Sequence, residues 1–228
     1  QTTITNFAAA ADQQRAGVAI EDLIGNTPLL GFQRITAHLP TNINLYAKAE
    51  WTNPGGSVKD RAALNIIRTA EREGKLKPGM TLVDSTSGNT GIAYAMIGAA
   101  RDIKVKLFLP GNASPERITI LKAYGVELVL TDPLEGSDGA IRAVRELVAN
   151  EPDAYFYADQ YSNPANWQAH FHSTGIEIWE QTSGKIDGFI CAVGTGGTLA
   201  GVGLALKARN PKVTIGLADP LGASLYSY

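Results

Sequence analysis

Short β-branched runs alternate with helical stretches from about residue 80 to the end of this 228-residue chain, and that alternation limits the folds open to it. TLVD (81–84) reads as a strand and GIAYAMIGAARD (91–102) as the helix that follows. VKLFLP (105–110), VELVLTD (126–132) and AYFYAD (154–159) are three more strands. PERITILKAYG (115–125), closed by Gly125, and GAIRAVRELVAN (139–150) are the helices between them. NWQAHFHSTGIEIWEQT (166–182) reads as helical, FICAV (189–193) as a strand, LAGVGLALKARN (199–210) as a helix and VTIGLAD (213–219) as a strand. This spacing predicts βαβ units, hence an α/β fold with a parallel sheet and helices on both faces. Earlier, NLYAKAE (44–50) predicts a strand running into the turn WTNPGGS, and VKDRAALNIIRTAEREG (58–74) a helix stopped by Gly74. The Asn/Pro loop at 162–166 is the expected domain boundary.

The net charge of −2 offers no basic field for a phosphate backbone, so nucleic acid is not an expected partner. No run approaches the ~18 apolar residues of a membrane span. Residues 1–16 lack the basic and apolar regions of a secretory signal and read as a frayed leader. Cys191 is the lone cysteine, which leaves no disulfide framework and no cysteine zinc site and fits a reducing cytoplasm. Glycine is abundant, 24 of 228 residues, and much of it clusters in loops before helices.

Ligands of open α/β sheets bind at the carboxyl ends of strands, where helix N-termini present amide hydrogens and positive dipole. Three junctions here are of that kind. In Asn53-Pro54-Gly55-Gly56-Ser57-Val58-Lys59-Asp60-Arg61 a glycine pair makes a tight turn and a lysine opens a helix. Lys59 could be an ordinary surface lysine. Held among apolar neighbours it would be desolvated and its pKa would fall, as a Schiff-base lysine requires. Ser85-Thr86-Ser87-Gly88-Asn89-Thr90-Gly91 follows the strand TLVD. One helix cap needs one such residue, whereas this loop supplies several hydroxyls, as a carboxylate or phosphate site would. Gly194-Thr195-Gly196-Gly197-Thr198 lies between strand and helix and reads as a phosphate cradle. A dinucleotide fingerprint is an alternative, with Asp219 as the ribose-binding acid, but Leu199 stands where the third glycine belongs.

Other residues carry less. His170 and His172 read as packing or surface residues rather than metal ligands, and His38 has no clustered partner. No metal site is expected. Cys191 reads as an inert core thiol, Tyr94 and Met96 as core, and Gln160 as either a loop amide or a substrate contact. A phosphate cradle, an imine-forming lysine and a carboxylate-binding hydroxyl loop together describe pyridoxal 5'-phosphate with an amino-acid substrate.

With IGNTPLL (24–30), NPGGSVKDR (53–61), STSGNTG (85–91), QYSNPAN (160–166) and GTGGT (194–198) in this order, the chain resembles the cysteine synthase (O-acetylserine sulfhydrylase) and cystathionine β-synthase family of fold-type II pyridoxal phosphate enzymes. The resemblance runs from about Ile20 onward, and AYGVELVLTDPLEGSDGAI (123–141) looks most like the cysteine synthase branch. It implies two three-layer αβα domains with mostly parallel sheets, as in the tryptophan synthase β-subunit. Residues 17–52 and 164–228 would form the larger, cofactor-phosphate domain and 53–163 a smaller mobile domain. It implies that Lys59 holds the cofactor as a Schiff base and moves the α-proton, that Asn89 bonds the cofactor ring oxygen, and that Gly194, Thr195, Gly196, Gly197 and Thr198 bind the phosphate. Thr86, Ser87, Thr90 and Gln160 would bind the substrate α-carboxylate.

The reaction implied is a β-replacement that forms L-cysteine and acetate from O-acetyl-L-serine and sulfide through an α-aminoacrylate. O-phosphoserine sulfhydrylase and cystathionine β-synthase activities, or a truncated non-catalytic member, are the alternatives. A homodimer is implied, with the C-terminal tail of serine acetyltransferase as a further partner. The family continues past the point where this sequence stops at Tyr228, and no residue matches its pyridine-nitrogen serine, so a C-terminal part is expected to be missing.

Overall fold

The computed structural model describes residues 17–86 and 88–220. The expected leader, Ser87 and residues 221–228 lie outside the described residues.

Four parallel strands form the largest sheet: β3 (Thr81–Ser85), β4 (Lys104–Pro110), β5 (Glu127–Thr131) and β6 (Tyr155–Tyr157), in the order β5-β4-β3-β6. Strand alternation sends Leu82 and Leu107 to one face and Val83 and Phe108 to the other. The first face packs on α1 (Lys59–Arg72), α2 (Asn89–Arg101) and α3 (Pro115–Ala123) through Ala63, Ile66, Ile67, Ile97 and Leu121. The second packs on α4 (Gly136–Asn150) through Ala140 and Val144. The result is a three-layer αβα unit whose strands are buried from both sides, which is why they read as near-continuous apolar runs. Gly98 of α2 lies so close to β4 that a Cβ there would stand 2.5 Å from the Val105 side chain.

A second α/β unit has β7 (Gly188–Cys191) parallel to β8 (Thr214–Leu217). Helices α6 (Gly175–Gln181) and α7 (Gly197–Arg209) cover one face of this pair, through Ile178, Val202, Leu206 and Val213. The helix expected over 166–182 is in three pieces: α5 (Pro164–Ala169), a π-helical turn over His170–Thr174, and α6. Close approach of α7 accompanies the break. A Cβ at Gly201 would collide with the Trp167 carbonyl, and one at Gly175 would stand 2.5 Å from Ala205 Cβ.

The expected strand at 44–50 is shorter, β2 (Tyr46–Lys48), and pairs antiparallel with β1 (Leu29–Gly31). Short 3-10 turns, Ile20–Leu23 and Glu50–Thr52, flank this ribbon. No helix among the described residues is long and apolar enough to cross a membrane.

Candidate active site

Lys59 opens α1 at the wall of a cavity of about 780 Å³, and Gly194, Thr195, Gly196, Gly197 and Thr198 line the same cavity. The turn before Lys59 is fixed from three sides. Asn53 Nδ2 donates to the Ser57 carbonyl at 3.1 Å, Ser57 Oγ accepts from the Lys59 amide at 3.1 Å, and Asp60 Oδ2 accepts from the Gly55 amide at 2.6 Å. Asn53 Oδ1 also accepts from Gly25, so the segments IGNTPLL and NPGGSVKDR meet. Burial pushes the Lys59 ammonium below its ordinary pKa, with the Cys191 thiol opposing. A lysine more easily freed of its proton is a better nucleophile toward a carbonyl.

The glycine loop leads into α7 with Gly196 at φ +84°, a left-handed conformation that glycine adopts without strain. A Cβ at Gly197 would collide with Asn166 Oδ1, so only a bare backbone fits there. Thr195 Oγ1 accepts from Asn166 Nδ2 at 2.9 Å, and Thr198 Oγ1 lies 3.3 Å from His170 Nε2. The other ring nitrogen of His170 is 2.9 Å from Thr174 Oγ1. Burial, reinforced by the Arg61 charge, pushes His170 down to about 4, so the ring is neutral at pH 7. Open amides at the start of a 13-residue helix attract an anion. A lysine with lowered pKa and a glycine-rich cradle with two hydroxyls in one cavity fit the aldehyde and phosphate ends of pyridoxal phosphate.

Thr86, Asn89, Thr90 and Gln160 stand off the lining of that cavity. Thr90 Oγ1 donates to Gln160 Oε1 at 2.7 Å, which joins the hydroxyl loop to the loop after β6. Thr86 Oγ1 accepts from the Gly88 amide at 3.3 Å. Asn89, the first residue of α2, is exposed. Asn166 completes a relay: its Nδ2 donates to the Gln160 carbonyl at 2.7 Å as well as to Thr195. Thr90, Gln160, Asn166 and Thr195 therefore form one hydrogen-bonded chain across 105 residues of sequence (195 − 90).

Sequence reading missed Asn166, although it closes the segment QYSNPAN, and missed the ion cluster behind Lys59. Arg61 is 3% exposed. It contacts Glu177 at 2.5 Å and Glu50 at 2.8 Å, and Lys48 contacts Glu177 at 2.6 Å. Burial pushes Glu177 up, but hydrogen bonds from Arg61 and Lys48 outweigh it and hold its carboxyl at about 2. Nothing in local pattern pairs residues 61 and 177; the Arg at the end of VKDR was the only signal. Cys191 is corrected from core to half-buried cavity wall: it shares a face with Phe189 but is the last residue of β7, where the strand runs out into the cavity. Burial raises its thiol pKa, with Lys59 opposing. Among the described residues no group of three or more His, Cys, Asp or Glu could hold a metal ion.

Comparison with known proteins agrees with this geometry. The family model described as pyridoxal-phosphate dependent enzyme matches residues 20–227. A cysteine synthase of Aquifex aeolicus is 52% identical over 203 residues, covering 89% of this chain and 62% of that protein. One from Dictyostelium discoideum is 42% identical over 212 residues, covering 91% of this chain and 55% of that protein. The chain thus spans less than two thirds of the length of these relatives. The crystal structure of a cysteine synthase from Entamoeba histolytica superposes with TM-score 0.88 at 38% identity, over all of this chain and 66% of that one. An O-acetylserine-dependent cystathionine β-synthase from Helicobacter pylori gives 0.85 at 34% identity, over 92% of this chain and 68% of that one. A family match over almost the whole length, on top of a lysine and a glycine cradle sharing one cavity, places this chain in the family of pyridoxal-phosphate-dependent enzymes.

Proposed function

We propose that the protein to which this chain belongs catalyses β-replacement on O-acetyl-L-serine, with sulfide as the incoming nucleophile and L-cysteine and acetate as products. The observation that carries this reading is the cavity shared by Lys59 and the Gly194–Thr198 loop. When bound, pyridoxal phosphate supplies an electron sink for the pair released at the substrate α-carbon.

In this reading the amides of the glycine loop and the Thr195 and Thr198 hydroxyls hold the cofactor phosphate at the positive end of α7. Lys59 Nζ anchors the cofactor, and Asn89 turns toward its ring oxygen. Thr86, Ser87, Thr90 and Gln160 take the substrate carboxylate, which fixes the α-hydrogen toward Lys59. With the cofactor bound, Lys59 Nζ would take up the α-proton as acetate leaves the β-carbon, and would return it to the α-carbon once sulfide has added at the β-carbon. The lowered Lys59 pKa suits this cycle, because the free amine must be populated near neutral pH. Residues 53–163 act as a mobile domain that closes on the occupied carboxylate site and excludes water. The assembly is a homodimer in the cytoplasm, with the serine acetyltransferase tail as a partner that competes for the carboxylate site.

The test loads purified protein with pyridoxal phosphate and records its visible spectrum, then supplies O-acetyl-L-serine and sulfide and measures acetate and cysteine. We expect a protein-bound visible band, absent in Lys59→Ala, and equimolar acetate and cysteine. No band after loading overturns the cofactor assignment. A band with turnover only on O-phosphoserine, or only with homocysteine as nucleophile, overturns the substrate assignment.

A further inference from the structure

Asp84 is the last residue but one of β3, just before the hydroxyl loop, and is 1% exposed. Its carboxylate makes two backbone contacts, one within β3 and one to the loop after β6. Oδ1 accepts from the Ser85 amide at 2.8 Å, where the chain leaves β3. Oδ2 accepts from the Gln160 amide at 3.4 Å, 76 residues away. A left-handed residue, Asp159 at φ +42°, precedes Gln160 and turns its amide back toward β3. Asp tolerates that conformation better than most residues, and the Asp159 carboxylate and carbonyl accept from the following turn. Beyond Asp84, the Gln160 side chain meets Thr90 at 2.7 Å and the Gln160 carbonyl meets Asn166 at 2.7 Å. A buried carboxylate is an expensive way to fasten a loop to a strand end, since an apolar residue there would carry no desolvation cost.

We propose that Asp84 is a positioning residue, which fastens the Gln160 backbone to the end of β3 and thereby sets how tightly the Thr90–Gln160 pair receives the α-carboxylate of the amino-acid substrate. This rests on the carboxylate-binding role proposed above for Thr90 and Gln160. The titratable groups facing Asp84 are Tyr94 from α2, Tyr157 from β6 and Asp159 from the turn after β6, and none of them is a cation. Burial pushes the Asp84 carboxyl up to about 7, against the Ser85 and Gln160 amides that favour the charged form. Protonation leaves one carbonyl oxygen where the carboxylate offers two equivalent acceptors, so the Ser85 and Gln160 amides can no longer both be held as well. The fastening therefore tightens as pH rises through neutrality.

The test uses the pyridoxal phosphate-loaded full-length protein and two probes, L-serine and L-serinamide. They differ in the carboxylate, and neither carries a good leaving group. Spectral titration gives the affinity ratio of the two probes from about pH 6 to about pH 8, and hydrogen exchange reads the Gln160 amide. In the wild type we expect the ratio to favour serine increasingly with pH. Asp84→Asn should weaken serine about tenfold, leave serinamide within about twofold, flatten the pH dependence of the ratio and speed Gln160 exchange. Asp84→Glu should restore part of the ratio, and kcat should change far less than KM.

Equal loss for both probes, or an unchanged ratio with unchanged exchange, overturns the positioning role. Should Asp84→Asn fail to fold, a pH-independent serine to serinamide ratio in the wild type overturns it equally. A wild type that never prefers serine to serinamide overturns the carboxylate reading of Thr90 and Gln160 itself, and the proposal falls with it.

Discussion

The Asn166 side-chain nitrogen donates a 2.9 Å hydrogen bond to the Thr195 hydroxyl. The same nitrogen reaches the Gln160 carbonyl at 2.7 Å, so one buried amide couples the glycine loop to the loop that carries Gln160. Asn166→Ala removes both bonds and leaves the buried Gln160 carbonyl without this donor. Loss of bonds of this kind weakens pyridoxal phosphate binding about tenfold, measured by titrating the apoprotein and following the visible band. Gly197→Ala, whose new methyl collides with Asn166, should weaken it at least as much.

Gly55 and Asp60 make a paired prediction. A Cβ at Gly55 would stand 2.5 Å from Asp60 Oδ1, a carboxylate that also accepts from the Gly55 amide. Gly55→Ala should cost about 1–3 kcal/mol of stability, as overpacking does. Adding Asp60→Ala relieves the clash, so the double variant should be less destabilised than the sum of the singles. Thermal unfolding of the four proteins checks this. Strict additivity would show that the contact carries no coupling.

Arg61 is the cation that compensates Glu50 and, with Lys48, Glu177. Arg61→Met leaves the half-buried carboxylates of Glu50 and Glu177 short of positive charge, and such a change costs about 1–3 kcal/mol. The loss should show in urea unfolding. It should also show in the ease with which Lys59, two residues away at the start of the same helix, is chemically acylated.

The same cluster sets an acid limit. Glu177 falls from an ordinary 4.5 to about 2 in the fold. A depressed carboxyl contributes stability that is complete above pH 4.5 and is lost as pH falls through about 2. Acidification across that window should therefore lower the unfolding midpoint in the wild type. Glu177→Gln, already without the charge, should be less stable at neutral pH and flatter across the window.

Asp84 behaves in the opposite sense. Its carboxyl rises from an ordinary 3.8 to about 7, so its contribution is complete below 3.8 and lost as pH rises through about 7. Asp84→Asn should gain thermal stability over the wild type between about pH 4 and about pH 8, while its serine binding declines. A fold that keeps this carboxylate gives up stability for a function, the pattern expected at a site rather than in a core.

Much of this was legible beforehand because strand and helix periods are local. The α/β alternation, the four parallel strands of the large sheet and the lysine and glycine loops all stand in contiguous stretches of sequence. The β1–β2 ribbon was not foreseen as a pair, since strands of 3 residues leave almost no alternation to read. The π-helical turn at His170–Thr174 was hidden inside a stretch that looks helical throughout, because close packing by α7 and not the local pattern accompanies the break. Cys191 was misplaced because FICAV reads as fully buried, while the strand ends at Cys191 and that end lines the cavity. Partners such as Arg61–Glu177 and Asp84–Gln160 lie beyond any periodic signal, at separations of 116 and 76 residues.

The Arg61–Glu177 contact also bears on the order in which the molecule is made. Lys59 and Arg61 emerge from the ribosome early, and Glu177 follows 116 residues later. At typical synthesis rates of about 5–20 residues per second, the nascent chain carries Arg61 for several seconds before that carboxylate exists. Throughout that interval the helix that opens with Lys59 has Glu50 alone of its two acidic partners. Half of the anchoring of Arg61 thus waits on translation of α6, so the helix that opens with Lys59 is completed with the second unit of the fold and not with the segment that encodes it.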